Sequence, residues 1–129
     1  MRSLPIRVLV VDDSEIVRRG ICQILKSQPD IEIVCEASDG ADAILKTREH
    51  RPDIVLLDIT MPVMNGFEAA RRIKNELPSV LILMVSQFDS AAFMREAAAS
   101  GASGYVVKSN ASAELIPALR KLQSEHMLL

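Results

Sequence analysis

Short apolar runs rich in β-branched residues alternate with runs of helical period along nearly the whole chain, and this leaves few folds open. Ile6-Arg7-Val8-Leu9-Val10-Val11 reads as a strand. From about Ser14 to Ser27, Ile16, Val17, Gly20, Ile21, Ile24 and Leu25 recur at helical spacing, with Ser14 as N-cap and Pro29 past the end. Ile31 to Ala37 alternates: Ile31, Ile33, Cys35 and Ala37 fall on one face, Glu32 and Glu36 on the other, which predicts a half-exposed edge strand. Asp39 caps a short helix through Ile44 and Leu45 that stops before Pro52. Ile54-Val55-Leu56-Leu57 and Val80-Leu81-Ile82-Leu83-Met84-Val85 are continuous apolar runs, as expected of strands covered on both faces. Between them, Asn65 and Glu68 are spaced like a capping box for a helix carrying Phe67, Ala70, Ile73 and Leu77. Asp89 or Ser90 starts an alanine-rich helix ending at Gly101, Tyr105-Val106-Val107 is a last strand, and Ser112 caps a final helix through Leu115, Ile116, Leu119 and Leu122.

Strands separated by helices cannot pair as hairpins, so the sheet must be parallel, with right-handed crossovers and helices on both faces. The most apolar strands belong in the middle and the alternating one at an edge. The expectation is an α/β fold: a doubly wound, five-stranded parallel sheet in order 2-1-3-4-5 with five helices, flavodoxin-like. The 129 residues suit a single domain, and 49% hydrophobic against 25% charged residues excludes a disordered chain.

The same residues narrow the function. A net charge of −2 leaves no basic excess to neutralise phosphates, so the domain is not expected to grip nucleic acid itself. Two cysteines, Cys22 and Cys35, make no disulfide framework and point to a reduced, cytoplasmic protein. No run approaches a membrane span, and Met1-Arg2-Ser3-Leu4-Pro5 reads as no secretion signal. Neither G-x-G-x-x-G nor a P-loop occurs. His50 and His126 have no metal spacing and read as surface residues; Met61, Met64, Met84 and Met94 read as packing.

In open parallel sheets, ligands sit beyond the carboxyl ends of the strands where the strand order reverses, here between strands one and three. Strand one ends in Asp12-Asp13 and strand three in Asp58; strand four ends in Ser86 and strand five in Lys108. Taken singly, each is ordinary: an acid or a serine before a helix is usually a cap, and a lone lysine is usually solvated. Together they fall at the carboxyl ends of four strands on one rim. Three close carboxylates repel one another unless a cation joins them. All-oxygen ligands favour Mg²⁺ completed by a phosphate. A carboxylate can also attack phosphorus to give an aspartyl-phosphate, with lysine and serine holding the transferred oxygens. An FMN phosphate after strand one would instead be repelled by Asp12 and Asp13.

Val10-Val11-Asp12-Asp13-Ser14, Leu56-Leu57-Asp58-Ile59-Thr60-Met61-Pro62-Val63-Met64-Asn65-Gly66, the strand end at Ser86, and Gly101-Ala102-Ser103-Gly104-Tyr105-Val106-Val107-Lys108 resemble the response-regulator receiver domains of two-component signalling, over about Ile6 to Gln123. Ser86-Gln87-Phe88-Asp89 and the Gly-Tyr-Val-Val-Lys-Ser end are most similar to receivers of LuxR-type transcription factors. The resemblance implies Asp58 as phosphoacceptor from a histidine kinase or phosphotransfer protein. It implies Mg²⁺ on Asp13, Asp58 and the backbone carbonyl of Thr60, with Asp12 assisting through water. Lys108 and Ser86 would contact the phosphoryl group, and Tyr105 would reposition with Ser86. The implied protein is a regulatory phosphoacceptor rather than an enzyme acting on other substrates. A receiver-fold module that works without phosphorylation is the alternative, and the complete five-residue site favours the switch.

The sequence reads as one receiver domain over 1–129, core about 6–123. DNA is expected as a partner only through an output domain outside it. Three positions depart from the pattern. Ser109 follows Lys108 where many receivers have proline, so the Lys108–Ser109 peptide is expected trans. Gln87 is larger than the residue often found after the switch hydroxyl, which restricts access to the phosphoryl group. Pro117 sits inside the last helix, a common dimer and partner surface in the family, where it removes a hydrogen bond to Ala113 and is expected to bend the first turns. A homodimer is thus among the partnerships the resemblance implies.

Overall fold

The computed structural model describes residues 4–126. The elements run β1 (Ile6–Val11), α1 (Glu15–Lys26), β2 (Ile31–Ala37), α2 (Gly40–His50), β3 (Ile54–Leu57), α3 (Gly66–Glu76), β4 (Leu81–Ser86), α4 (Ala91–Ala99), β5 (Gly104–Val107), a 3₁₀ turn (Lys108–Asn110) and α5 (Ala111–His126). All strand pairs are parallel, in the expected order β2-β1-β3-β4-β5. Met1–Ser3, part of the segment read for a signal, lie outside the described residues.

Alternation along the buried strands splits the core into two layers. Val8, Val10, Ile54, Leu56, Leu81 and Leu83 meet Ile21 and Leu25 of α1 and Leu115, Leu119 and Leu122 of α5. Leu9, Val11, Val55, Leu57, Ile82 and Met84 meet Ile44 of α2, Ala69 and Ile73 of α3 and Ala97 of α4. Each central strand therefore removes both faces from water, at about 25 cal/mol per Å² of apolar surface. Met61 and Met84 are buried, and His126 is exposed while His50 is half-exposed.

Four helices open on side-chain caps. Ser14, Asp39, Asn65 and Ser90 accept from the amides of Val17, Asp42, Glu68 and Phe93, each such cap contributing ~1 kcal/mol. The reverse bond of the expected capping box is replaced: the Glu68 carboxylate turns to Arg72 and Arg71 instead. Ser112 is not a cap. The 3₁₀ turn after β5 already carries the chain into α5, the Ala111 amide donates to the Lys108 carbonyl, and Ser112 lies one residue inside the helix. Pro117 leaves α5 unbroken, on an exposed position where water can reach the freed Ala113 carbonyl.

The edge strand departs from simple alternation. Val8 pairs with Ile33 and Leu9 with Cys35, so Val34 has no partner on β1. This bulge flips the strand beyond it. Ile31 and Ile33 pack into the α1/α5 layer, whereas Cys35 and Ala37 pack into the α2/α3/α4 layer. Glu36 consequently turns to α1, where its carboxylate meets Arg18 at 3.0 Å.

The β3–α3 loop returns on itself tightly. The Gly66 amide donates to the Ile59 carbonyl at 2.7 Å, and the Met64 amide to Pro62 at 2.8 Å across Val63 at φ 71°. A Cβ at Gly66 would lie 2.1 Å from the Asp58 carbonyl oxygen, and the clash would be with backbone on both sides. Gly66→Ala is therefore expected to cost about 1–3 kcal/mol or more. Urea unfolding of the two proteins measures the difference, and equal midpoints would contradict the seating described.

Candidate phosphorylation site

The carboxyl ends of β1, β3, β4 and β5 bring the predicted residues to one rim. Asp12 is the most constrained. Its amide donates to the Ala37 carbonyl at 3.1 Å, its Oδ1 accepts from the Ser14 amide at 2.9 Å, and its carbonyl accepts from Arg18 Nη1 at 2.7 Å. Its Oδ2 is fully buried and faces the Lys108 ammonium at 2.7 Å, yet no aligned hydrogen bond reaches it among the described residues. The contact is ionic, and the lone pairs are only partly used.

Asp58 is 4% exposed at the end of β3. Its Oδ1 accepts from the Ile59 amide at 2.9 Å and lies 3.1 Å from Lys108 Nζ. Among the described residues Oδ2 has no hydrogen-bond partner. Asp13 is exposed, and one carboxylate oxygen from each of Asp12, Asp13 and Asp58 lies within 4.8 Å of the others. Lys108 reaches in from the end of β5 across a trans peptide to Ser109, as expected. Thr60 is exposed two residues beyond Asp58.

Burial pushes the Asp58 carboxyl up to about 6, helped by the Asp12 charge and opposed by Lys108 and the Ile59 amide. Burial acts to lower the Lys108 ammonium, but Asp12 and Asp58 outweigh it and hold Lys108 above its ordinary value. Net negative charge thus persists in a poorly hydrated place. Hard oxygen donors, a buried and under-satisfied Oδ2 and one exposed carboxylate suit a partly hydrated Mg²⁺.

Ser86 and Tyr105 are joined by a residue that sequence reasoning passed over. Ser86 is fully buried at the end of β4, and its Oγ accepts from the Phe88 amide at 3.1 Å. The half-buried Tyr105 donates its hydroxyl to the Phe88 carbonyl at 2.7 Å. One residue, Phe88, therefore bridges the two, and its ring packs 4.4 Å from that of Phe93 on α4. Beside Tyr105, Met94, Ala97, Ala98 and Ala102 line a surface cavity of about 140 Å³. Nothing in the sequence around Phe88 signals this bridge, because it is made by backbone groups. Arg18 was missed for another reason: its partner Glu36 is on the other face unless the bulge at Val34 is known.

The chain is similar to known proteins over most of its length. Residues 8–120 match the family described as the response regulator receiver domain. The transcriptional regulatory protein LnrK of Bacillus subtilis is 38% identical over 96% of this chain, and VraR of Staphylococcus aureus 39% over 92%. The chain spans 56% of the length of each. Among solved structures, a LuxR-family two-component response regulator from Aurantimonas superposes with a TM-score of 0.90 at 37% identity, covering 94% of this chain and 86% of that one. The receiver of Thermotoga maritima CheB superposes at 0.84, with 34% identity, 97% of this chain and 98% of that one. No helix among the described residues is long and apolar enough to cross a membrane. With its five-stranded fold, its carboxylate rim and a match over most of its length, the chain belongs to the response regulator receiver domain family of two-component systems.

Proposed function

We propose that this domain is a phosphorylation switch with Asp58 as the phosphoacceptor. The observation that carries the proposal is the buried Asp58 carboxylate: one oxygen is tied to Lys108 and the Ile59 amide, while the other has no hydrogen-bond partner among the described residues and is available to attack. Asp58 Oδ2 attacks the phosphorus of a phosphohistidine on a histidine kinase or phosphotransfer protein. The P–N bond breaks, the electron pair stays on the imidazole, which takes a proton, and an aspartyl-phosphate remains. Asp13, Asp58 and the Thr60 carbonyl, with Asp12 through water, would hold Mg²⁺, which would supply charge neutralisation for the phosphoryl oxygens. The Lys108 ammonium shifts its interaction from Asp58 Oδ1 to a phosphoryl oxygen, so it serves both states. The Ser86 hydroxyl donates to another.

Transmission follows from the Phe88 bridge. Moving Ser86 toward Asp58 pulls the Phe88 backbone, breaks the bond from Tyr105, and lets that ring turn into the space beside α4. This changes the α4-β5-α5 face, which controls a transcriptional output domain of the kind the LuxR-type relatives suggest. On this reading residues 1–129 form one receiver domain of a cytoplasmic regulator that reaches DNA through that output domain, and catalysis is limited to its own phosphorylation and dephosphorylation.

Incubation with a small-molecule phosphodonor and Mg²⁺, read by intact mass, is expected to add one labile phosphate to the wild type and none to Asp58→Asn. A phosphate retained on the variant moves the nucleophile elsewhere, and no phosphate on either favours the phosphorylation-independent module.

Protonation gives a second expected outcome. The folded-state carboxyl of Asp58 titrates near 6 rather than at its ordinary 3.8. A raised acid stabilises the fold when protonated, and that contribution is lost as pH rises from about 4 through 6. Without Mg²⁺, Asp58→Asn is expected to be more stable than wild type by about 2–3 kcal/mol at pH 7, an advantage that shrinks towards pH 4. Urea unfolding in chelator at both pH values checks the sign. NMR with beryllofluoride and Mg²⁺ tests transmission: large shifts are expected at Ser86, Phe88, α4 and Tyr105, and shifts confined to the neighbours of Asp58 contradict the bridge.

A further inference from the structure

We propose that Arg18 is a positioning residue for the acidic pair, holding the β1–α1 turn from behind in its cation-binding shape; this rests on reading Asp12 and Asp13 as part of the site. Arg18 is one turn into α1, and its side chain is 18% exposed. Its Nη1 donates to the Asp12 carbonyl at 2.7 Å, and its Nε donates to Glu36 Oε1 at 3.0 Å. The planar fork thus ties the turn to the edge strand, an arrangement a lysine cannot reproduce.

The carbonyl that Arg18 holds governs the direction of the next residue. The Asp12 carbonyl and the Asp13 amide belong to one rigid peptide plane. Asp12 is fixed by its own amide, its Oδ1 and Lys108. Asp13 is exposed and makes no hydrogen bond or ion pair with the described residues, so its direction depends on its backbone. Fixing the carbonyl fixes how Asp13 leaves the turn. The Val34 bulge is part of the device, since it turns Glu36 to the face where Arg18 lies.

The two possible roles of Arg18 differ in sign. As a bare positive charge behind the acidic turn, Arg18 would weaken cation binding, and removing it would tighten binding. As a positioning residue it strengthens binding, and outer-shell partners of metal ligands are typically worth 10–100-fold in affinity. The experiment titrates wild type, Arg18→Gln, Arg18→Lys and Glu36→Gln with Mg²⁺ alone by calorimetry. It also measures amide hydrogen exchange at Ser14, whose N–H bonds to Asp12 Oδ1. Arg18→Gln is expected to bind Mg²⁺ roughly tenfold more weakly and to exchange Ser14 faster. Glu36→Gln, which keeps an Oε1 acceptor for Arg18 Nε and so preserves the fork while removing the charge, is expected to stay near wild type in both.

Unchanged or tighter Mg²⁺ binding in Arg18→Gln overturns the proposal, as does weaker binding with Ser14 exchange unaltered. If Arg18→Gln does not fold, Arg18→Lys decides by the same two readouts. If wild type itself binds no Mg²⁺, the metal reading of the acids fails, and the Ser14 exchange decides the positioning role separately.

Discussion

The Lys108 ammonium between Asp12 and Asp58 is the interaction on which the rest of the site depends. Two buried carboxylates at the ends of neighbouring parallel strands repel, and burial deprives both of water. One lysine, arriving from the far side of the sheet at the end of β5, makes their coexistence tolerable at 2.7 and 3.1 Å. It does so incompletely. Among the described residues no aligned hydrogen bond reaches Asp12 Oδ2, and Asp58 remains harder to ionise than an ordinary aspartate. That remainder of unmet negative charge is what suits the cavity to a divalent cation. A better-satisfied acid pair would be more stable and less receptive.

The fold serves this site through geometry rather than through any special stability. A 2-1-3-4-5 order places β1 and β3 side by side with the helices that follow them, α1 and α3, on opposite faces, so the two carboxyl ends meet between diverging chains. Gly66 permits the chain to return against Asp58, and the Phe88 backbone links the buried Ser86 to the edge-strand Tyr105. A displacement at the rim therefore has a short covalent and hydrogen-bonded route to α4.

Much of this was legible in the sequence because it rests on period and on strand ends. Doubly buried runs such as Ile54–Leu57 can only be central, and a parallel sheet must gather Asp12, Asp13, Asp58, Ser86 and Lys108 on one rim. Caps at Ser14, Asp39 and Asn65 follow from residue type, which leaves Asp89 and Ser90 equally open at the fourth helix, where Ser90 is the cap. What could not be read is what depends on one extra residue or on backbone groups. The bulge at Val34 leaves the alternation of Ile31 to Ala37 intact on paper while reversing its faces, and with it the direction of Glu36 and the partner of Arg18. Ser112 looked like a cap because the 3₁₀ turn before α5 has no side-chain signature of its own.

The most direct test tracks the Asp58 carboxyl carbon by NMR through a pH titration without Mg²⁺. Its burial and the neighbouring Asp12 charge predict a midpoint near 6 for the wild type. Asp12→Asn, which removes the neighbouring charge, lowers the midpoint, and Lys108→Ala, which removes the ammonium, raises it. A wild-type midpoint at the ordinary carboxylate value of 3.8, or a fall in Lys108→Ala, would contradict the claim that one lysine holds two competing buried acids in readiness for a cation.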